Sequence, residues 1–372
     1  LFMKLLLFLL ILPVILSNCI APQKTKRQFS SLEGKDLIVY GRSKVNEIDG
    51  SISLITSASH FGIQFYDQVE LLANTQGENT VYLQYEINDN YESKKIKIVG
   101  NNLQKFIIKS PNNELCKLWI YKCSEAIAGQ VNIHKIIGNS FSVLKKPKQK
   151  LIEFIGNSIT CGAASDTSEF PCTEGNYHDH SNAYLAFGPR VSRELKVDFI
   201  INSISGAGIY RNWNSDGPTL PELYDFVDLS SLENGKYDHT QNKPNIISIA
   251  LGTNDFSKGD GVKARLPFDR DKFVFHYIQF IKKIKNIHPK AIIVLTDSPM
   301  INGENKNIFN SCLLEIKKNV DDLYPLSQGI YIFTYKEMEP RGCSYHPSID
   351  DHYMMAMEIK DFYKNLLESY RN

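Results

Sequence analysis

Four short segments of this chain carry side chains suited to acyl transfer, and three of them directly follow an apolar run. Gly156-Asn157-Ser158-Ile159-Thr160-Cys161-Gly162 offers a serine hydroxyl at or near the first turn of a helix. Backbone N–H groups and the positive helix end there can hold a developing oxyanion. Thr160 replaces the second glycine of a G-x-S-x-G elbow, and a serine so placed also reads as a plain N-cap. Asn202-Ser203-Ile204-Ser205-Gly206-Ala207-Gly208 lets backbone approach a ligand closely, with the Gly206 N–H as a candidate second oxyanion donor, although taken by itself the segment reads first as a plain glycine turn. Leu251-Gly252-Thr253-Asn254-Asp255 supplies the Asn254 amide as a neutral donor, or an Asx turn closing a strand. Gly342-Cys343-Ser344-Tyr345-His346-Pro347 sets a histidine before a proline, in a restrained extended loop suited to a fixed general base.

The elements that must position these residues fall into two kinds. From about residue 30 to 144 the pattern is short, alternating apolar runs such as 51–56, 62–66, 81–87 and 95–99, with turn signals at Asn88-Asp89, Gly100-Asn101 and Pro111-Asn112. Such period-two alternation predicts an all-β sandwich or jelly roll. A basic, proline-containing joint (KKPKQK, 145–150) follows. From 150 to 372, continuous apolar runs at 151–155, 199–201, 246–251, 292–295 and 330–333 alternate with amphipathic stretches, 273–287 being the clearest helix. Strands apolar on both faces belong to a parallel sheet covered by helices, so the second domain is expected to be an open α/β sheet. Ligands in such sheets bind at the carboxyl ends of the strands, which is where Ser158, Gly206 and Asn254 fall.

Composition narrows the function classes. The 372 residues carry 42 Lys+Arg against 41 Asp+Glu, a net charge of +1, with no basic stripe, so nucleic acid is a poor partner. The apolar run 5–16 is too short to span a bilayer and precedes Ser17-Asn18-Cys19, so residues 1–19 read as an export signal ending in a lipobox-like sequence. The chain is thus expected to be exported: periplasmic, a cell-surface lipoprotein or secreted, touching membrane only through a lipid anchor at Cys19. Six further cysteines permit disulfides, and spacing alone suggests Cys116 with Cys123 and Cys161 with Cys172. No cysteine spacing suits a structural zinc, and no cofactor or metal is called for.

The order Ser158, Gly206, Asn254, His346, in GNSITCG, SISGAGIYRN, ALGTNDF and GCSYHPS, resembles the conserved blocks of the SGNH (GDSL-like) hydrolase superfamily. More narrowly, residues 35 to 370 resemble the family-two carbohydrate esterases, acetyl xylan esterases with a jelly roll before the SGNH domain. The resemblance implies a three-layer α/β/α parallel sheet after a jelly roll, and O-deacetylation of xylan or related plant polysaccharides. It also implies Ser158 as nucleophile, His346 as base, and an oxyanion hole from the Ser158 and Gly206 N–H groups and Asn254. Members usually carry an aspartate two or three residues before the histidine; Cys343 and Ser344 stand there instead. A Ser–His dyad is therefore expected, with a backbone carbonyl or the Ser344 hydroxyl orienting the ring. Asp350 and Asp351 lie beyond Pro347, at an expected helix start, and are not cast as the third member.

Other residues have two readings each. Trp213 stacks on a sugar or packs in the core; Tyr345 lines the acyl pocket or packs. His178-Asp179-His180 is expected to be a solvated or capping loop before a metal site. Two rival functions stay open: a carbohydrate-binding pseudoenzyme, and an SGNH esterase acting on lipid, sialate or peptidoglycan esters. Activity resting on an unperturbed imidazole would fall near pH 6.5.

Overall fold

The computed structural model describes residues 29–233, 235–327 and 329–370, so the apolar run and Cys19 lie outside the described residues. The first half is a large antiparallel β domain. Its spine is a pair of long strands, His60–Asn74 and Val131–Val143, whose register shifts at three places. His60–Asn74 also changes partner along its length. Residues 60–66 pair with Leu115–Lys122 and residues 68–73 with Gln104–Lys109, and Asp67, at φ +66°, marks the switch. Alternate residues of these strands (Phe61, Ile63, Phe65, then Val69, Leu71, Ala73) enter one core with Leu83, Ile98, Leu118 and Ile133, so the sequence periodicity corresponds to one buried face.

The second half is a five-stranded parallel sheet in the order Asp198–Ser203, Leu151–Gly156, Ile246–Ala250, Ile292–Thr296, Ile330–Phe333. Its strands are apolar on both faces because both are covered. Ile152, Phe154, Ile246 and Val294 pack with the helices Phe187–Leu195 and Ile349–Ser369. Ile155, Ile247, Ile249 and Leu295 pack with Arg270–Ile287 and Gly303–Leu323. In chain order this is a 2-1-3-4-5 sheet, and the crevice where strand order reverses lies between Leu151–Gly156 and Ile246–Ala250, beside Ser158 and Asn254.

Polar bonds join the two domains. Arg42 of the β domain is completely buried; its Nε donates to Asn202 Oδ1 at 2.7 Å and a terminal nitrogen donates to the Phe226 carbonyl. Tyr82 donates to Asp179 Oδ1 at 2.7 Å, Lys95 Nζ lies 3.4 Å from Asp166, and Ala183 N–H donates to the Cys123 carbonyl at 2.9 Å. The last three pin the 166–183 segment of the α/β domain onto the β domain.

The disulfide differs from the expected pairs: it joins Cys172 to Cys343, while Cys116, Cys123, Cys161 and Cys312 are buried thiols. Cys116 lies near the start of an extended strand and Cys123 just past its end, and at about 3.3 Å per residue such a separation is roughly four times what a disulfide bridges. Cys161 is occupied with Ser203 Oγ at 3.0 Å. Cys172–Cys343 instead ties the 166–183 segment to the histidine loop across 171 residues of sequence. Replacing both with serine is expected to lower unfolding free energy by about 2–5 kcal/mol, measured by denaturant titration; an unchanged midpoint would mean that the noncovalent ties already hold that loop.

Candidate active site

Three strand ends and one loop converge. Ser158 opens the short helix Ser158–Cys161 directly after the first parallel strand, and Asn157 caps it by accepting the Ile159 N–H at 3.2 Å. The Ser158 N–H belongs to the first helical turn and has no intrahelical acceptor. Gly156 is required by space: a Cβ there would sit 2.0 Å from Thr160 Oγ1. Gly206, at φ +76°, follows the Asp198–Ser203 strand and accepts the Trp213 N–H at 2.8 Å. Asn254 lies in the helix Thr253–Phe256, and its Nδ2 donates to the Ala207 carbonyl at 2.8 Å, which leaves the second amide hydrogen for another acceptor. Its neighbour Asp255 gathers the N–H groups of Ile209, Tyr210 and Arg211 at 3.0 to 3.3 Å. The loop that carries Gly206 is thereby clamped to the one that carries Asn254. Burial pushes the Asp255 carboxyl up to about 6, against the pull of those three bonds.

His346 is extended (φ −109°, ψ 158°), as a residue before proline should be. Its Nδ1 lies 2.7 Å from the Ser344 carbonyl oxygen. A carbonyl only accepts, so Nδ1 carries the proton and Nε2 presents its lone pair. Placing that carbonyl requires Ser344 and Tyr345 both in the left-handed region, at φ +50° and +57°. The loop is held there by Cys343 N–H on the Ala164 carbonyl (2.8 Å), Gly342 N–H on the His346 carbonyl (2.8 Å) and the disulfide. Gly342 admits no side chain, since a Cβ would meet the His346 and Ala164 carbonyl oxygens at 2.7 and 2.8 Å.

Ser158, Gly206, Asn254 and His346 line one cavity of 790 Å³, with Tyr177, Trp213, Met300 and Tyr345. Trp213 and Tyr345 are 43% and 86% exposed, so neither packs in the core. Asp351 caps the last helix through Ser348 and binds Arg341 Nε at 2.7 Å, while Asp179 accepts the Asn176 N–H at 2.7 Å in a short capping turn. None of these aspartates reaches the imidazole through a hydrogen bond.

Residues 154–325 match the model of the GDSL-like lipase/acylhydrolase family. That match runs through the first four strands of the parallel sheet, so the α/β domain is similar to this family over most of its length. Two curated relatives, both named acetylxylan esterase / glucomannan deacetylase and both from Cellvibrio japonicus, are similar over different extents. One is 32% identical over 220 residues, 57% of this chain and 59% of the relative; the other is 26% identical over 377 residues, 98% of this chain and 100% of the relative. The solved structure of a family two carbohydrate esterase from Cellvibrio japonicus superposes with a TM-score of 0.80 at 24% identity, covering 92% of this chain and 98% of that one.

Two residues of this GDSL-like site gave no signal in the sequence. The Tyr177 hydroxyl lies 3.3 Å from both His346 Nε2 and Ser205 Oγ. Burial holds its phenol well above the ordinary range, with Glu125 reinforcing and Ser205 and Ser158 opposing. Glu125 comes from the β domain, is completely buried, and accepts the Ser205 N–H at 2.6 Å and its hydroxyl at 2.5 Å.

Burial also draws the His346 imidazole below its ordinary range, opposed by the Ser344 carbonyl and Glu125. Behind it, His352 is fully buried, with Nδ1 accepting the Phe187 N–H at 3.3 Å; burial, then Arg190, lowers it to about 3. A depressed histidine favours the neutral fold, so its contribution is present above the unfolded value of about 6.5 and lost as pH falls toward the folded one. Between pH 7 and 5 this one group should remove about 2 kcal/mol of stability. Urea titrations of wild type and His352→Gln at both pH values check it, and an equal drop in the variant would assign the loss elsewhere.

Proposed function

We propose that the chain is a carboxylic ester hydrolase that removes O-acetyl groups from polysaccharides such as xylan or related plant glycans. The observation that carries this reading is the convergence of a hydroxyl, an imidazole with its lone pair inward, and three candidate oxyanion donors on one cavity. In the mechanism His346 Nε2 takes the Ser158 proton and the Ser158 oxygen attacks the acetyl carbonyl. The tetrahedral oxyanion is received by the Ser158 and Gly206 N–H groups and the Asn254 amide. Collapse expels the sugar hydroxyl, protonated by His346, and water repeats the sequence to free acetate. In the free site Nε2 bonds the Tyr177 hydroxyl; catalytic hydrogen bonds often tighten only once substrate is bound. Among the described residues no carboxylate hydrogen-bonds the imidazole. The Ser344 carbonyl orients the ring, and the machinery is a Ser–His dyad.

Trp213 and Tyr345, exposed at the cavity rim, offer ring faces to a glycan. The names of the relatives, acetylxylan esterase / glucomannan deacetylase, point the same way. Export, with a lipid anchor at Cys19, would put the enzyme where such polymers are met.

Acetate release from acetylated xylan or glucomannan should fall at least about a thousandfold in Ser158→Ala and His346→Ala. Asn254→Ala should lose about a hundred- to a thousandfold in turnover. The base must be neutral, so the rate is lost as pH falls through the imidazole value, and burial sets that midpoint below about 6.5. Equal rates for wild type and Ser158→Ala would leave the binding-only reading in place.

A further inference from the structure

We infer that Glu125, delivered by the β domain, is a positioning residue of the active site: its carboxylate fixes the Ser205–Gly206 oxyanion loop and faces the Ser158–Tyr177–His346 cluster with a negative charge. This rests on the esterase reading above and extends it to the other domain.

Glu125 precedes a short turn, Ala126–Ala128, between the strands Leu115–Lys122 and Val131–Val143. No solvent reaches it. Both oxygens are spent on the α/β domain. Oε2 accepts the Ser205 N–H at 2.6 Å and Oε1 the Ser205 hydroxyl at 2.5 Å, a two-pronged grip on the residue just before Gly206. A buried charge held this way fixes the direction of the Ser205–Gly206 backbone, and so where the Gly206 N–H points. Lys122 stiffens the turn itself, its Nζ donating to the carbonyls of Ser124 at 2.9 Å and Glu125 at 2.7 Å.

The carboxylate also touches the groups around the base. His178 Nδ1 is 3.8 Å from Oε1, the Cys161 thiol donates to Oε2 at 3.5 Å, and Ser205 Oγ connects it to the Tyr177 hydroxyl. Glu125 acts electrostatically on His346 and raises its proton affinity; Tyr177 bonds its Nε2, and His352, whose proton affinity His346 lowers, is its other titratable neighbour. Those facing Glu125 are Lys122, His178, Tyr177 and Cys161. Glu125 is thus the negative charge that acts on an imidazole whose own loop lacks one.

The test measures 4-nitrophenyl acetate hydrolysis by the full chain from pH 4.5 to 8, in wild type, Glu125→Gln, Glu125→Asp and Ser158→Ala, with each fold checked by circular dichroism. Glu125→Gln should lower kcat about ten- to a hundredfold with KM within about threefold, because a misdirected donor costs the transition state most. Its acid limb should move to lower pH, a change that mere loosening of the domain interface does not produce. Glu125→Asp keeps the charge and retracts it by one methylene, so its acid limb should stay in place while kcat falls more than about tenfold. A folded Glu125→Gln with wild-type kcat and an unmoved acid limb overturns the inference. Should Glu125→Gln not fold, wild-type kcat in Glu125→Asp overturns it by itself. Inactivity of Ser158→Ala beside either result shows that the esterase reading stands, whereas equal rates for wild type and Ser158→Ala would sink that reading instead.

Discussion

The hydrogen bond from His346 Nδ1 to the Ser344 carbonyl decides what the rest of the site can do. It fixes one tautomer and turns Nε2 toward the cavity, the first half of what a triad carboxylate does. It does not supply the second half, because a carbonyl dipole stabilises an imidazolium less than a full negative charge does. Holding that carbonyl in place costs backbone strain, since two successive non-glycine residues in the left-handed region cost on the order of 1 kcal/mol or more each. The surroundings over-determine the loop instead: a disulfide, two backbone bonds and a glycine packed against carbonyl oxygens all act within a few residues of it.

The sheet contributes the other half of the geometry. A 2-1-3-4-5 order opens a crevice between its first and third strands, and those strands end in Ser158 and Asn254. Gly206 enters from the neighbouring edge strand, tied to Asn254 through the Ala207 carbonyl. The three candidate oxyanion donors thus hang on adjacent strands of one rigid sheet, where small errors of placement are expensive. His346, by contrast, comes on a loop before the last helix, which explains why most of the local fastening is found there.

What could be read from the chain follows this division. Ser158, Gly206 and Asn254 were visible because each sits just past an apolar strand, a position that periodicity locates. His346 was visible through its proline. Tyr177 was not, because the 166–183 segment has no periodicity, and its place is set by Tyr82 and Lys95 from the other domain. Glu125 looked like any acidic residue in a β-domain turn; only the docked structure shows that no water reaches it. The disulfide departs from the expected pairs for a related reason. Spacing favours cysteines near in sequence, whereas a strand carries Cys116 and Cys123 apart and folding brings Cys172 to Cys343. Trp213 and Tyr345 had two readings each, and exposure removes the packing one for both.

The domain interface is polar where it matters, which affects what it can contribute. Arg42 on Asn202, with Asn202 in turn on Glu153, and Lys95 beside Asp166 are buried groups whose desolvation offsets much of their attraction. Such pairs add modestly to stability, yet their hydrogen bonds form in one arrangement only, and a shift of an ångström would strand a buried charge. An apolar contact of similar area would tolerate sliding. The interface therefore works as a register device: it holds the 166–183 segment so that the Tyr177 hydroxyl lies 3.3 Å from the His346 imidazole.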